Sequence, residues 1–235
     1  MPSFDLPAAV LFDMDGTLVD TEPYWIESEL ALVERDGGTW TYEDGLGLVG
    51  SALSKSAQVL RDKGGVRGTD EEIVSDLVAG VHARINAHGV HWRTGALELL
   101  ATLREHHVPC ALVTMSYRVL AEAIVAQMPP DTMTVIVAGD SVTHGKPHPE
   151  PYLKAAELLG VEIANCIGVE DSPTGIRSVE ASGAHAIAVP YLVHVDAAPG
   201  RSRFTSLTDL GLEELQSILQ GTVIDRWEQH EHHHA

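Results

Sequence analysis

Ala8-Ala9-Val10-Leu11-Phe12-Asp13-Met14-Asp15-Gly16-Thr17 is an apolar run that breaks abruptly at two carboxylates and a glycine. Such a run, ended by a turn-forming glycine, predicts a buried strand with Asp13 and Asp15 at its carboxyl end. Comparable short runs, rich in Val, Ile and Ala, recur at Cys110 to Val113, Thr134 to Ala138, Cys166 to Val169 and His185 to Val189. Helix-like segments lie between the later runs, at Ala96 to His106, Arg118 to Gln127, Pro149 to Leu159 and Gly175 to Ser182. Strands alternating with helices predict an α/β protein with a parallel sheet covered on both faces.

The first strand departs from this rhythm, because a long, mostly helical stretch separates it from the second. Asp20-Thr21-Glu22-Pro23 places a polar cap before an early proline, and Ile26, Leu30 and Val33 follow on one face. A second helix is predicted from about Asp70 to Ala87, with Ile73, Leu77 and Val81 in register. The expected organisation is therefore a sheet core, residues 1–19 and 89–235, and an inserted all-helical domain, residues 20–88.

Composition narrows the partners. The 235 residues include 15 Lys+Arg against 34 Asp+Glu, a formal charge of −19. No basic stripe is left to neutralise phosphates, so nucleic acid and anionic membrane surfaces are disfavoured. An anionic substrate then needs local cations. No stretch approaches a membrane span, and Asp5 and Asp13 interrupt the N-terminal apolar run, which argues against a signal peptide. Cys110 and Cys166 lie in apolar runs and read as two buried free thiols, in keeping with a reducing cytoplasm. The His-rich tail, Gln229 to Ala235, has the composition of a metal-binding tract, but a solvated end without a role is the preferred reading. The expected assembly is a monomer or weak dimer.

In an open parallel sheet the ligand crevice lies outside the carboxyl ends of the strands. The residues just beyond each run are therefore informative: Asp13 to Thr17 after the first, Thr114-Met115-Ser116 after the second, Lys146-Pro147 beyond the third, and Glu170-Asp171-Ser172 at the fourth. Carboxylates gathered at one rim repel one another and a phosphate unless a divalent cation sits among them, and hard oxygen donors suit Mg²⁺. One carboxylate can attack phosphorus, and a second, two residues on, can protonate the leaving oxygen and later activate water. A lysine and a hydroxyl can hold the remaining phosphate oxygens.

Asp13-Met14-Asp15-Gly16-Thr17-Leu18-Val19-Asp20-Thr21-Glu22 resembles the first motif of the haloacid dehalogenase (HAD) superfamily in its phosphatase form. Thr114, Lys146-Pro147-His148-Pro149-Glu150 and Gly168-Val169-Glu170-Asp171-Ser172 resemble the second, third and fourth motifs, in the family's order. The resemblance implies a Rossmann-like core with a helical cap, of the branch similar to beta-phosphoglucomutase and small sugar-phosphate phosphatases. It implies Asp13 as nucleophile and Asp15 as general acid and base. Thr114, Met115 and Lys146 would bind phosphate. Asp13, the Asp15 carbonyl, Glu170 and Asp171 would hold Mg²⁺, Glu170 directly or through water. In the cap it points to Gly50, Ser51 and Lys55 as substrate-reading residues.

Asp15 separates phosphatases and mutases from dehalogenating relatives, whose leaving group needs no proton. Mutases of this branch typically carry a His twelve positions after the nucleophile, where this chain has Trp25. The expected activity is hydrolysis of a small phosphomonoester, a sugar or polyol phosphate, through an aspartyl phosphate on Asp13. The alternatives are a phosphomutase and a non-catalytic phospholigand-binding module. Met115 and Tyr117 are bulkier than the residues common after the second-motif hydroxyl, a departure from the pattern.

Other signals are set aside. Gly45-Leu46-Gly47-Leu48-Val49-Gly50 matches a dinucleotide fingerprint, yet no buried strand precedes it, so a flexible turn of the insertion is expected instead. Asp13 to Gly16 fails the glycine position of a calcium loop. His144 and His148 flank Lys146 and read as surface polar groups. His88, His91, His106 and His107 have no partner cysteines in a zinc-site pattern, which argues against a zinc site there. Ser116 and Ser172 lack the context of a triad serine.

Overall fold

The computed structural model describes residues 6–49, 51 and 53–227. The five expected strands form: β1 (Ala9–Phe12), β2 (Cys110–Val113), β3 (Val135–Val137), β4 (Cys166–Glu170) and β5 (His185–Ala188). Two more, β6 (Arg201–Phe204) and β7 (Asp225–Arg226), extend the sheet. The order is β3-β2-β1-β4-β5-β6-β7, and every pair is parallel. Every residue of β1, β2 and β4 is buried, which explains why their sequences are unbroken apolar runs rather than alternating ones.

The chain divides into two compact units, Met1–Val19 with Trp92–Ala235, and Asp20–His91. The second unit holds α1 (Glu22–Arg35), α2 (Tyr42–Leu46), α3 (Leu53–Asp62) and α4 (Asp70–His88). It runs somewhat past residue 88, because the Asp20 amide donates to the His91 carbonyl at 2.8 Å and the Tyr24 hydroxyl donates to the Gly89 carbonyl. Proline sits in the first turn of α1 as the sequence suggests. Thr21 makes no side-chain cap there; Asp20 Oδ1 accepts from the Glu22 amide instead. A reciprocal capping box between Thr69 and Glu72 opens α4. Ile26 and Val33 of α1 and Ile73, Leu77, Val81 and Ile85 of α4 are buried, the two helices packing on the stripe that the 3.6-residue period predicts.

The glycine-rich stretch after residue 44 is not wholly a turn. Gly45 and Leu46 close α2, and residues 47–49 form the turn. A Cβ at Gly45 would lie 2.9 Å from Ile26 Cγ2, so this glycine lets α2 approach α1. Gly50 lies outside the described residues, as does the His-rich tail.

In the first unit α5 (Ala96–Glu105), α6 (Arg118–Val125), α7 (Glu150–Leu159), α8 (Pro173–Ser182) and α9 (Leu212–Leu219) accompany the sheet. Ala9 and Leu11 of β1, with Ala111 and Val113 of β2, point to one face. There they pack with Tyr152 and Ala155 of α7 and Ile176 and Val179 of α8. Each large aliphatic side chain so buried contributes roughly 1.5–3 kcal/mol. Cys110 and Cys166 are buried and unbridged, as read from the sequence. No helix among the described residues is long and apolar enough to cross a membrane.

Candidate active site

The strand order reverses beside β1, with β2 and β3 to one side and β4 to β7 to the other. The carboxyl ends of β1 and β4 therefore flank the switch point where open α/β sheets bind ligands. Asp13 leaves β1 with its amide donating to the Val169 carbonyl at 3.0 Å, which fixes its position beside Glu170 and Asp171. Thr114 leaves β2 with its amide bonded to the Val137 carbonyl at 2.9 Å. Residues far apart in sequence meet here because four parallel strands end at one edge.

Lys146 is the centre of this arrangement. Its Nζ lies 2.6 Å from Asp13 Oδ1, 2.6 Å from Glu170 Oε1 and 2.8 Å from the Val113 carbonyl oxygen, so all three ammonium protons have acceptors. The side chain is only 5% exposed. Burial works against the charge, but Asp13 and Glu170 outweigh it and hold the lysine pKa above its ordinary value. The Thr17 hydroxyl donates to Asp13 Oδ2 at 3.1 Å.

Asp15 is held separately. Ser116 Oγ donates to its Oδ2 at 2.7 Å and Thr114 Oγ1 lies 3.4 Å from the same oxygen, while the Ser116 amide donates to Thr114 Oγ1 at 3.0 Å. Met115, a departure from the usual small residue, turns its thioether toward the Lys146 backbone amide, 3.1 Å away. The bulky side chain thus braces the lysine loop. Ser51 and Lys55 belong to the helical unit and are exposed there.

Asp13, Glu170 and Asp171 bring carboxylate oxygens within 4.8 Å of one another. Burial, then Asp13, then Glu170 push the Asp171 pKa up, and burial followed by Asp13 does the same to Glu170 against the pull of Lys146. Three carboxylates facing one ammonium leave an excess of negative charge in a desolvated place. A hard divalent cation meets that donor set on charge and on ligand type. Gly16 keeps the space open: its φ is +84°, and a Cβ there would sit 2.1 Å from Asp171 Oδ2.

A family model described as haloacid dehalogenase-like hydrolase matches residues 10–189. The chain belongs to that family. It is 31% identical to hexitol phosphatase A of Escherichia coli (strain K12) over 88% of this chain and 91% of that protein. Fructose-1-phosphate phosphatase YqaB of the same organism is 27% identical, over 79% of this chain and 97% of the relative. Among solved structures, CbbY from Rhodobacter sphaeroides in complex with xylulose-(1,5)bisphosphate superposes with a TM-score of 0.77 at 25% identity, covering 88% of this chain and 97% of that one. The chain is a phosphatase of this haloacid dehalogenase-like family.

Four side chains of this hydrolase that the sequence reading gave no role join the cluster: Thr17, Ser116, Tyr152 and Ser172. The Tyr152 hydroxyl donates to Glu170 Oε1 at 2.6 Å, and Ser172 Oγ lies 3.5 Å from Glu170 Oε2. Thr17 and Ser172 stand inside the first and fourth motifs, and Ser116 lies two positions beyond Thr114, so their places were visible. Tyr152 carried no signal, since an aromatic at helical spacing reads as core.

The electrostatic excess has a measurable consequence. The folded Asp171 pKa, pushed up to about 9, lies above the unfolded value of about 3.9, so stability is lost as pH rises from about 4 toward the folded value, where the folded chain must keep a proton that the unfolded chain releases. Asp171→Asn is expected to raise stability without divalent cations at pH 8 by about 1.4 kcal/mol or more, one pKa unit's worth. The melting temperature then rises by about 3–6 °C. The gain should shrink toward pH 4, where the unfolded chain also holds that proton and the penalty disappears. Thermal melts in chelator at both pH values test this; a variant less stable than wild type at pH 8 contradicts it.

Proposed function

We propose that this phosphatase hydrolyses a small phosphomonoester, a sugar or polyol phosphate, in a magnesium-dependent reaction that passes through an aspartyl phosphate on Asp13. The observation carrying the reading is the buried Lys146 ammonium bridging Asp13 and Glu170, with Asp171 alongside. That arrangement orients a carboxylate and offsets its charge without protonating it, which is what an attack on phosphorus requires.

In the first step an Asp13 carboxylate oxygen forms a bond to phosphorus as the bond to the ester oxygen breaks. Asp15, protonated, gives its proton to the departing alkoxide. In the second step Asp15 takes a proton from water, whose oxygen attacks phosphorus and releases Asp13. Ser116 and Thr114 hold the Asp15 carboxyl in reserve for both transfers, and Thr114, Met115 and Lys146 form the phosphate side of the site. Asp13, the Asp15 carbonyl, Glu170 and Asp171 would hold Mg²⁺, which when bound offsets the charge of the transferring phosphoryl group.

Hydrolysis is preferred to mutase chemistry because Trp25 stands where such mutases typically carry a histidine. The named phosphatases of hexitol phosphates and fructose 1-phosphate among the relatives support a sugar or polyol phosphate substrate. We assign substrate selection to the helical unit, through Gly50, Ser51 and Lys55, and the setting to the cytoplasm, in keeping with two unbridged thiols. A phosphate-release screen over phosphorylated metabolites in Mg²⁺ tests the reading. Sugar and polyol monophosphates are expected to rank first. Isomerisation of hexose phosphates without phosphate release would favour a mutase, and binding without turnover across the panel would overturn both.

A further inference from the structure

The loop that delivers Lys146 carries a second group of metal-ligating side chains. Glu150, the first residue of α7, turns its carboxylate back over the loop. It accepts from the Thr143 amide at 2.7 Å, the His144 amide at 2.9 Å and His144 Nδ1 at 2.8 Å. The Glu150 amide in turn donates to His148 Nδ1 at 3.2 Å. The two imidazole rings face each other, centroids 4.6 Å apart and tilted by 33°. One donor atom from each of His144, His148 and Glu150 lies within 4.8 Å of the others.

We propose that His144, His148 and Glu150 form a binding site for a divalent transition cation of the zinc class, separate from the carboxylate cluster. Two imidazoles and a carboxylate are the donor types that zinc, cobalt and nickel prefer, whereas magnesium favours oxygen donors alone. Metal–ligand bonds of about 2.0–2.2 Å require the three donors, which lie within 4.8 Å of one another with His144 Nδ1 and Glu150 Oε2 at 2.8 Å, to readjust around the ion. The exposed rings have room to rotate, and His144 exchanges its bond to Glu150 for the cation. The frame behind them is already fixed. Two backbone amides orient the Glu150 carboxylate, Ser178 Oγ donates to the His148 carbonyl at 2.6 Å, and Lys146 N meets Met115 Sδ. Outer partners of this kind pre-orient ligands. Three protein ligands leave a position open to water.

Competing donors in the chain are separable. Burial pushes the Cys110 thiol up to about 12 and the Cys166 thiol up to about 11, so neither offers a thiolate near neutrality. The tail histidines do compete. The test therefore uses the full-length chain with His230, His232, His233 and His234 replaced by Ala, titrated calorimetrically with Zn²⁺ in excess Mg²⁺. One Zn²⁺ per chain is expected to bind, with affinity falling at least about tenfold in His144→Ala and in His148→Ala. Binding is expected to be unchanged in His106→Ala and in Asp171→Asn. Affinity untouched by His144→Ala and His148→Ala, or lost in Asp171→Asn alone, would overturn the site. So would no binding at all by the tail-substituted chain. Because the readout is Zn²⁺ binding, it is independent of whether sugar phosphates are hydrolysed.

Discussion

Asp13→Asn should abolish phosphate release from any substrate in Mg²⁺, lowering turnover by about five to six orders of magnitude, the scale seen when a covalent nucleophile is removed. The amide cannot form the acyl phosphate. The fold should survive the change. Lys146 keeps Glu170 and the Val113 carbonyl as acceptors, and the substitution removes one of three mutually repelling carboxylates. Melting temperature in chelator is therefore expected to hold or rise while activity vanishes. Steady-state assays paired with thermal melts read both at once. Activity within tenfold of wild type would contradict the role given to Asp13.

Lys146→Met should fail in the opposite manner, losing stability together with activity. Methionine fills a similar volume but leaves Asp13, Glu170 and Asp171 facing one another with no cation among them. Stranding buried charges in this way costs about 3–5 kcal/mol. For a chain of this length that lowers the melting temperature by roughly 6–20 °C. Turnover should fall by about 10²–10³-fold or more, as when one preorganised charge-stabilising group is removed. The pH dependence follows from the raised Glu170 and Asp171 pKa values. Groups whose folded pKa exceeds the unfolded one lose stability as pH rises. The penalty should be largest above pH 8 and shrink toward pH 4, and Mg²⁺ should restore part of it by mass action. Denaturant titrations at two pH values measure this; a penalty that does not depend on pH would show that the lysine is held only by packing.

Some of this arrangement was legible in the sequence and some was not, for physical reasons. Strands β1, β2 and β4 are buried on both faces, so their apolar runs stand out. Strand β6 alternates, with Ser202 and Phe204 buried between half-exposed arginines, and β7 is two exposed residues, so neither produces a run. The carboxyl-end rule grouped Asp13, Thr114, Lys146, Glu170 and Asp171, and the structure brings them together. Their roles came from the resemblance. What a linear reading could not supply was how Lys146 divides its three protons, or that the Ser116 hydroxyl donates to the Asp15 carboxyl. Those depend on side-chain direction at strand ends, which no periodicity encodes. His144 and His148 read as surface groups singly; only the fold of their loop around Glu150 makes them a set.

The most direct test of Asp13 as the phosphoryl carrier is to quench the enzyme with acid during turnover, reduce it with borohydride and map its peptides by mass. An acyl phosphate on Asp13 is expected to appear as homoserine at that position alone. Reduction at another carboxylate, or a stable phosphoryl group on a serine or histidine, would contradict it.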